Sequence, residues 1–311
     1  MGLEQQMKRV EILPSQPISS TGVATLSDYE ACRRIMRSAS KNYSFASNFF
    51  PEDKLRHVEA LYALMRVGDD RVDVSHSGFE TAGEAISEWE EAYWSAFEKG
   101  DSPHPVLRAY LNTAIEYQIP KDTMAPYFRA MKDDLSVTRF TTFKDLLFYM
   151  EGSAIPVGRA MTHILGVRAP YGIADALPGA DSLSIAMQLS NFWRDVGYDW
   201  RIHRVYLPLE DMDRFGYSET ELSEGKVTSS FIQLMEFEFG RTETYYQKAR
   251  SSVCMLASGR WGVMSGLEIY RAILPSIRRN GYDVFHQKSS PNGAQKIGFA
   301  LKSLVWDLSQ G

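Results

Sequence analysis

Apolar residues recur every three or four positions through most of the chain, and the rhythm breaks at short clusters of Gly, Pro, Ser and Asp. This spacing predicts helices beginning near Ser27, over 51 to 73, and at about 79 to 98, 104 to 117, 121 to 132, 142 to 164, 181 to 199, 218 to 224, 228 to 257 and 261 to 279. Ser27 with Glu30 and Ser218 with Glu221 have capping-box spacing, and Pro51 stands where a first helical turn tolerates proline. No pair of alternating apolar and polar runs is joined by a hairpin turn, so the fold class is all-α. Residues 1 to 26 are polar, interrupted by Pro14 and Pro17, and hold no sustained period; they read as a flexible N-terminal arm. The segment GDSPHP at 100 to 105 is short enough for an ordinary inter-helix loop, so residues 27 to 311 read as one domain.

Two of these helices carry a polar stripe on an otherwise apolar surface. In the first, Tyr62, Arg66, Asp69 and Asp73 are spaced 4, 3 and 4 and share one face, among Leu61, Leu64, Met65, Val67 and Val72. In the second, Gln188, Asn191, Asp195 and Asp199 are spaced 3, 4 and 4, among Leu183, Ile185, Met187, Leu189, Phe192, Trp193 and Val196. A helix that is apolar nearly all round is a buried one, so these carboxylates point into a cavity. Clustered buried carboxylates raise one another's pKa and would neutralise themselves. Divalent cations remove that conflict. Magnesium takes hard oxygen ligands and is usually held by one or two carboxylates plus substrate phosphates, so the stripes point to an anion such as diphosphate. A lone acidic DxxxD is commonly a solvated helix face. Here there are two, each with in-phase polar companions, and Arg201 and Arg204 follow the second.

Composition narrows the classes further. The 311 residues are 44% hydrophobic, enough for a substantial core, and the net charge of -5 argues against nucleic acid as a partner. Cys32 and Cys254 make no disulfide framework and no CxxC spacing, and the six histidines form no metal-ligand cluster. No run of about 18 apolar residues appears, and the first twenty residues lack a signal-peptide centre. The expected location is the cytoplasm, with peripheral contact to a membrane. The segment KSSPNGAQKIGFALKSLVW suits a basic amphipathic helix after Pro291, placed either on lipid or against the bundle.

At the two stripes the chain resembles the squalene and phytoene synthase family, the head-to-head branch of the trans-prenyl synthases. The resemblance runs from about Cys32 to Phe285 through YALMRVGDDRVD and QLSNFWRDVGYDWRIHRVYLP, where Gln188, Asn191, Arg194, Asp195, Asp199, Arg204, Tyr206 and Pro208 fall at family positions. YMEGSAIPVGRAM, from Tyr149, and LEIYRAILPSIRRNGYDVF resemble two further family segments. The resemblance implies a single-domain isoprenoid-synthase helical bundle around a central cavity. It implies that Asp69 and Asp73 bind magnesium, or manganese in its place, with one diphosphate, and that Asn191, Asp195 and Asp199 do so from the facing helix. Arg66 and Arg194 match positions beside the diphosphates, with Gln188 and Arg204 as further substrate contacts. Ser44, Phe45 and Phe49 match a flap over the cavity mouth. Tyr62, Tyr149 and Tyr270 match tyrosines that stabilise cations or assist proton removal, the alternative for each being ordinary core packing.

Three departures from the family stand out. A basic diphosphate ligand is common where this chain has Gln287, which leaves Lys288 as its substitute. Ser184 replaces a usual glycine and Ile155 a small residue, which implies altered packing or a reshaped cavity. The activity implied is condensation of two geranylgeranyl diphosphates to phytoene through a cyclopropylcarbinyl diphosphate. The alternative is a C30 synthase acting on farnesyl or presqualene diphosphate to give presqualene diphosphate, dehydrosqualene, squalene or hydroxysqualene. NFW and PVGR are similar to the hydroxysqualene branch, whereas FRAMKDDLSVTRFTTFKDLLFYMEGSA is similar to bacterial phytoene synthases. A non-catalytic assembly factor is a third reading, and the intact carboxylate pairs speak against it. No nicotinamide cofactor is expected, since no GxGxxG follows a strand. The expected partners are the two prenyl diphosphates, a transient membrane surface and a downstream desaturase.

Overall fold

A computed structural model describes residues 24–39, 49–73 and 78–310, apart from the side chain of Asp73. Ser44, Phe45 and most of the expected N-terminal arm lie outside the described residues. The helices are α1 (Leu26–Ala39), α2 (Glu52–Asp73), α3 (Ala82–Lys99), α4 (Pro105–Glu116), α5 (Ala125–Asp133), α6 (Phe143–Ser153), α7 (Ile155–Leu165) and α8 (Ile173–Arg201). They continue with α9 (Leu209–Phe215), α10 (Glu219–Ser223), α11 (Ser229–Val253), α12 (Arg260–Arg271), α13 (Ile273–Arg279) and α14 (Gly293–Leu308), and a short 3₁₀ turn at Lys121–Met124 precedes α5. Among the described residues there is no strand, so the all-α expectation holds; two isolated bridges, Arg139 with Val205 and Val167 with Leu256, are the β-type pairings recorded.

Local chemistry explains where the helix ends differ from the periodic pattern. The cap of α1 is Thr25 rather than Ser27: the Thr25 N–H donates to Asp28 Oδ2 at 2.8 Å, and Asp28 also takes Arg108 Nη2 at 2.6 Å. That pairing fastens α1 to α4 and fixes the register. Ser218 caps α10 as expected, with Glu221 N–H donating to its Oγ at 3.2 Å. The predicted helix over 142 to 164 is broken at Ala154, and that over 261 to 279 at Ala272. Pro156 and Pro275 lie just beyond these breaks, and a proline ring would clash with the carbonyl four residues back in a continuous helix. Conversely, α8 starts eight residues before the predicted Asp181 and runs through Pro178 and Gly179. Gly179 is where α11 crosses closely: a Cβ there would lie 2.1 Å from Ser252 Cβ.

The long helices α8 and α11 run antiparallel at the centre. Trp193 Nε1 donates to Thr242 Oγ1 at 2.8 Å, and Ser190 Oγ lies 2.8 Å from the Tyr246 hydroxyl, all of these groups being buried. α1, α3 and α4 pack on α2, and α7 packs between α2 and α8. On the far side α12 rests on α8 and α11, and α14 covers α12 from outside, held by Trp261 Nε1 donating to Ala300 O at 2.7 Å and by Arg260 Nε to Asp307 Oδ1 at 2.6 Å. Among the described residues, no helix is long and apolar enough to cross a membrane.

Candidate active site

The first stripe lies on the last turns of α2. Tyr62 and Asp69 line a cavity enclosed by α2, α7, α8, α11 and α12. Asp69 is steadied from behind by Tyr127 of α5, whose hydroxyl donates to Met65 O at 2.7 Å and lies 3.2 Å from Asp69 Oδ1. Gly68 makes this approach possible, because a Cβ there would stand 2.0 Å from the Tyr127 hydroxyl oxygen. Arg66 turns to Asp70, one turn on, with Nη2 2.5 Å from Oδ1. The backbone of Asp73 closes the helix.

The second stripe lies on the C-terminal half of α8. Gln188 and Asn191 line the same cavity as Asp69, and Asp195 and Asp199 follow one and two turns later. Two cations meet at Asp195: Arg194 Nε donates to its Oδ1 at 2.9 Å, and Lys288 Nζ is 3.2 Å from the same oxygen. Lys288 therefore reaches the site that the departure at Gln287 left open. Burial, reinforced by the Asp195 charge, pushes Asp199 up to about 7, against the pull of Arg204, Arg194 and Lys288. Arg204 borders a small cleft with Asp199, and its Nη2 donates to Asp134 O at 3.3 Å. Tyr270 of α12 lines the cavity between the stripes, where burial raises its hydroxyl and the charges of Arg194 and Asp195 also reach it. Burial likewise pushes Tyr62 up to about 12, so both tyrosines stay neutral.

From Asp69 and Asn191 the cavity, of about 380 Å³, descends to Leu165, Val253, Leu256, Val263 and Phe50. Between Glu52 and Asp69 the α2 axis rises roughly 25 Å, so the polar and apolar ends are well separated. Phe49 does not line this space: its ring packs on Trp261 at 4.5 Å, and Phe50 takes the lining position over Gly262. Tyr149 also stands apart, buried in an aromatic cluster with Phe140, Phe192 and Tyr206, its hydroxyl donating to Asp134 Oδ2 at 3.2 Å. Ser184 lines the wall where a Cβ on Gly158 would meet its hydroxyl at 2.2 Å, so the two positions share one small space; Ile155 is buried at the start of α7. Sequence patterns had not pointed to Tyr127 or Phe50. A glycine within an apolar helix, at Gly68, was the one local sign of a close neighbour.

Asp69 and Asn191 line the polar end of the cavity, whereas Asp195 and Asp199 follow Asn191 along α8 without lining it, Asp199 bordering the small cleft beside Arg204; these oxygen donors suit a hard cation. Among the described residues no three His, Cys, Asp or Glu side chains come together to hold a metal alone. The family model for squalene/phytoene synthase matches residues 36–294, most of the chain. The chain belongs to the squalene/phytoene synthase family. It is therefore a prenyltransferase. Within that family it is 32% identical over 287 residues to a phytoene synthase of Arthrospira platensis, with 89% of this chain and 92% of the relative covered. It is 31% identical to a 15-cis-phytoene synthase of Synechococcus elongatus, with 90% and 93% covered. Among solved structures, a dehydrosqualene synthase in complex with ligand superposes with a TM-score of 0.82 at 26% identity, covering 91% of this chain and 97% of that one. A squalene synthase from Alicyclobacillus acidocaldarius superposes with a TM-score of 0.73 at 26% identity, covering 83% and 95%.

Proposed function

We propose that this chain is a magnesium-dependent synthase that condenses two geranylgeranyl diphosphates head to head to phytoene, through a cyclopropylcarbinyl diphosphate. The observation that carries the reading is one cavity with Asp69 and Asn191 at its polar end and apolar walls down to Leu165 and Leu256. The choice of C20 substrates rests on phytoene synthases as relatives along nearly the whole chain.

Asp69 and Asp73 would hold a metal with one headgroup from α2, and Asn191, Asp195 and Asp199 would do the same from α8. Among the described residues no carboxylates are gathered into a complete coordination set, so diphosphate oxygens would supply the remaining ligands. Magnesium, or manganese in its place, supplies the positive charge that makes diphosphate a leaving group. Arg66, Arg194, Arg204 and Lys288 add fixed cations, and Gln188 orients a headgroup.

The C1–O bond of one substrate breaks, and the resulting allylic cation is attacked by the double bond of the second. Loss of a proton closes the cyclopropane ring. Departure of the second diphosphate, rearrangement and a final proton loss give the hydrocarbon. The apolar walls exclude water from these cations, and Tyr62 and Tyr270, held neutral, face them with π-electrons and a hydroxyl. Tyr149 and Phe49 support the surrounding wall rather than the reacting atoms. An insoluble C40 product requires release at a membrane surface and onward transfer, for which a desaturase is the fitting recipient.

The C30 reading draws on the likeness to the dehydrosqualene synthase structure. Purified protein with magnesium is to be incubated separately with C20 and C15 diphosphates and the products weighed by mass spectrometry. A C40 hydrocarbon from the C20 substrate is expected. Turnover of the C15 substrate alone would replace the reading with the C30 one.

A further inference from the structure

We propose that the outward face of α14 docks on a lipid surface bearing anionic headgroups. Four large aliphatic side chains stand exposed there: Ile297 at 55%, Leu301 at 57%, Val305 at 68% and Leu308 at 75%. Their spacing of 4, 4 and 3 confines them to an arc of roughly 80° on the helix. No other described helix exposes more than two large apolar residues, and the two of α8, Ile173 and Tyr198, are at opposite ends. The stripe is thus a feature of this helix.

The charge pattern fits a negatively charged layer. Lys302 is exposed at one edge of the stripe, and no acid shares the exposed face. The acidic residue of α14, Asp307, is turned inward to Arg260. The loop before α8, which exposes Tyr171 and leads into the exposed Ile173 of α8, is tied to the end of α14 by Arg168 Nη1 donating to Gln310 O at 3.2 Å. That loop brings further apolar surface to the same end of the molecule.

A second copy of the chain fits less well. The exposed positions offer almost no hydrogen-bonding groups, and the stripe amounts to a few hundred Å², below the roughly 800 Å² per partner that a stable dimer needs. An apolar stripe with a cationic edge on a helix lying along the surface is what an interface of headgroups and acyl chains takes. The opposite side of α14 covers α12, whose Gly262, Val263, Gly266 and Tyr270 line the cavity, so the docked face is one helix away from it. The inference does not depend on which prenyl substrate is used.

The test is co-sedimentation of the full chain with phosphatidylcholine vesicles, with and without phosphatidylglycerol. The Leu301→Ser/Val305→Ser variant is run beside it, with melting temperature and turnover as controls for folding. Binding that strengthens with phosphatidylglycerol and falls roughly tenfold or more in the variant is expected. No binding to either vesicle, or binding undiminished in the variant, overturns the inference. So does a wild-type dimer that the substitutions dissociate in sedimentation equilibrium, because the face then belongs to a second copy.

Discussion

The Tyr127 hydroxyl reaches Asp69 from outside the cavity, across 58 residues of sequence, so its effect on the site is separable from substrate contact. Tyr127→Phe keeps the buried ring and removes the hydroxyl shared between Met65 O and Asp69 Oδ1; loss of the Asp69 contact, on the net worth of one hydrogen bond, should raise the magnesium concentration for half-maximal activity by roughly two- to tenfold. Turnover at saturating magnesium should be largely retained. An unchanged magnesium dependence would mean that the hydroxyl serves Met65 O alone. The shared faces of the stripes were legible in the chain because helical periodicity fixes which residues lie together, and of those residues Tyr62, Asp69, Gln188 and Asn191 line one cavity. The Tyr127 contact was not legible, since nothing in local spacing reports a neighbour on another helix. The exchange of Phe49 for Phe50 has the same origin: outside a regular element, neighbouring residues have no periodic face to tell them apart.

At the scale of elements, α9 is joined to α11 by one guanidinium between two carboxylates. Arg241 Nη1 donates to Asp211 Oδ2 at 2.8 Å and to Glu238 Oε1 at 2.9 Å, with Glu238 fully buried. Burial pushes Glu238 up to about 8, and the nearby Asp211 adds to this against the pull of Arg241, so the folded cluster holds a proton at neutral pH. A folded value above the ordinary 4.5 contributes stability that is complete below about 4.5 and is lost as the pH rises through about 8. Glu238→Gln mimics the protonated group. It should flatten the fall in melting temperature between about pH 5 and pH 8 seen in the wild-type protein, and a fall of equal steepness in the variant would show that Glu238 is ionised in the fold. The α9 segment that this cluster secures is seven residues long, too short to show a period, and was not anticipated. Long helices were legible, but the breaks at Ala154 and Ala272 were not, because the apolar rhythm continues across them and only the following prolines mark the interruption. The early start of α8 was hidden by Pro178 and Gly179, a pair that reads as a turn until α11 is packed against it.

On the scale of the whole molecule, the account depends on α2 and α8, more than a hundred residues apart in sequence, turning their polar stripes to one cavity. Their meeting was implied by two in-phase stripes on apolar helices. The composition of the floor was not, because Phe50, Leu165, Leu256 and Val263 come from four separate segments that only the packed bundle joins. The central claim is that these stripes grip diphosphate through a divalent cation, and calorimetric titration of inorganic diphosphate into the full chain, with and without magnesium, tests it most directly. Binding should require magnesium and weaken by roughly a hundredfold in Asp69→Asn and in Asp195→Asn, with helical circular dichroism unchanged. Equal binding without magnesium, or undiminished binding in both variants, would contradict the account.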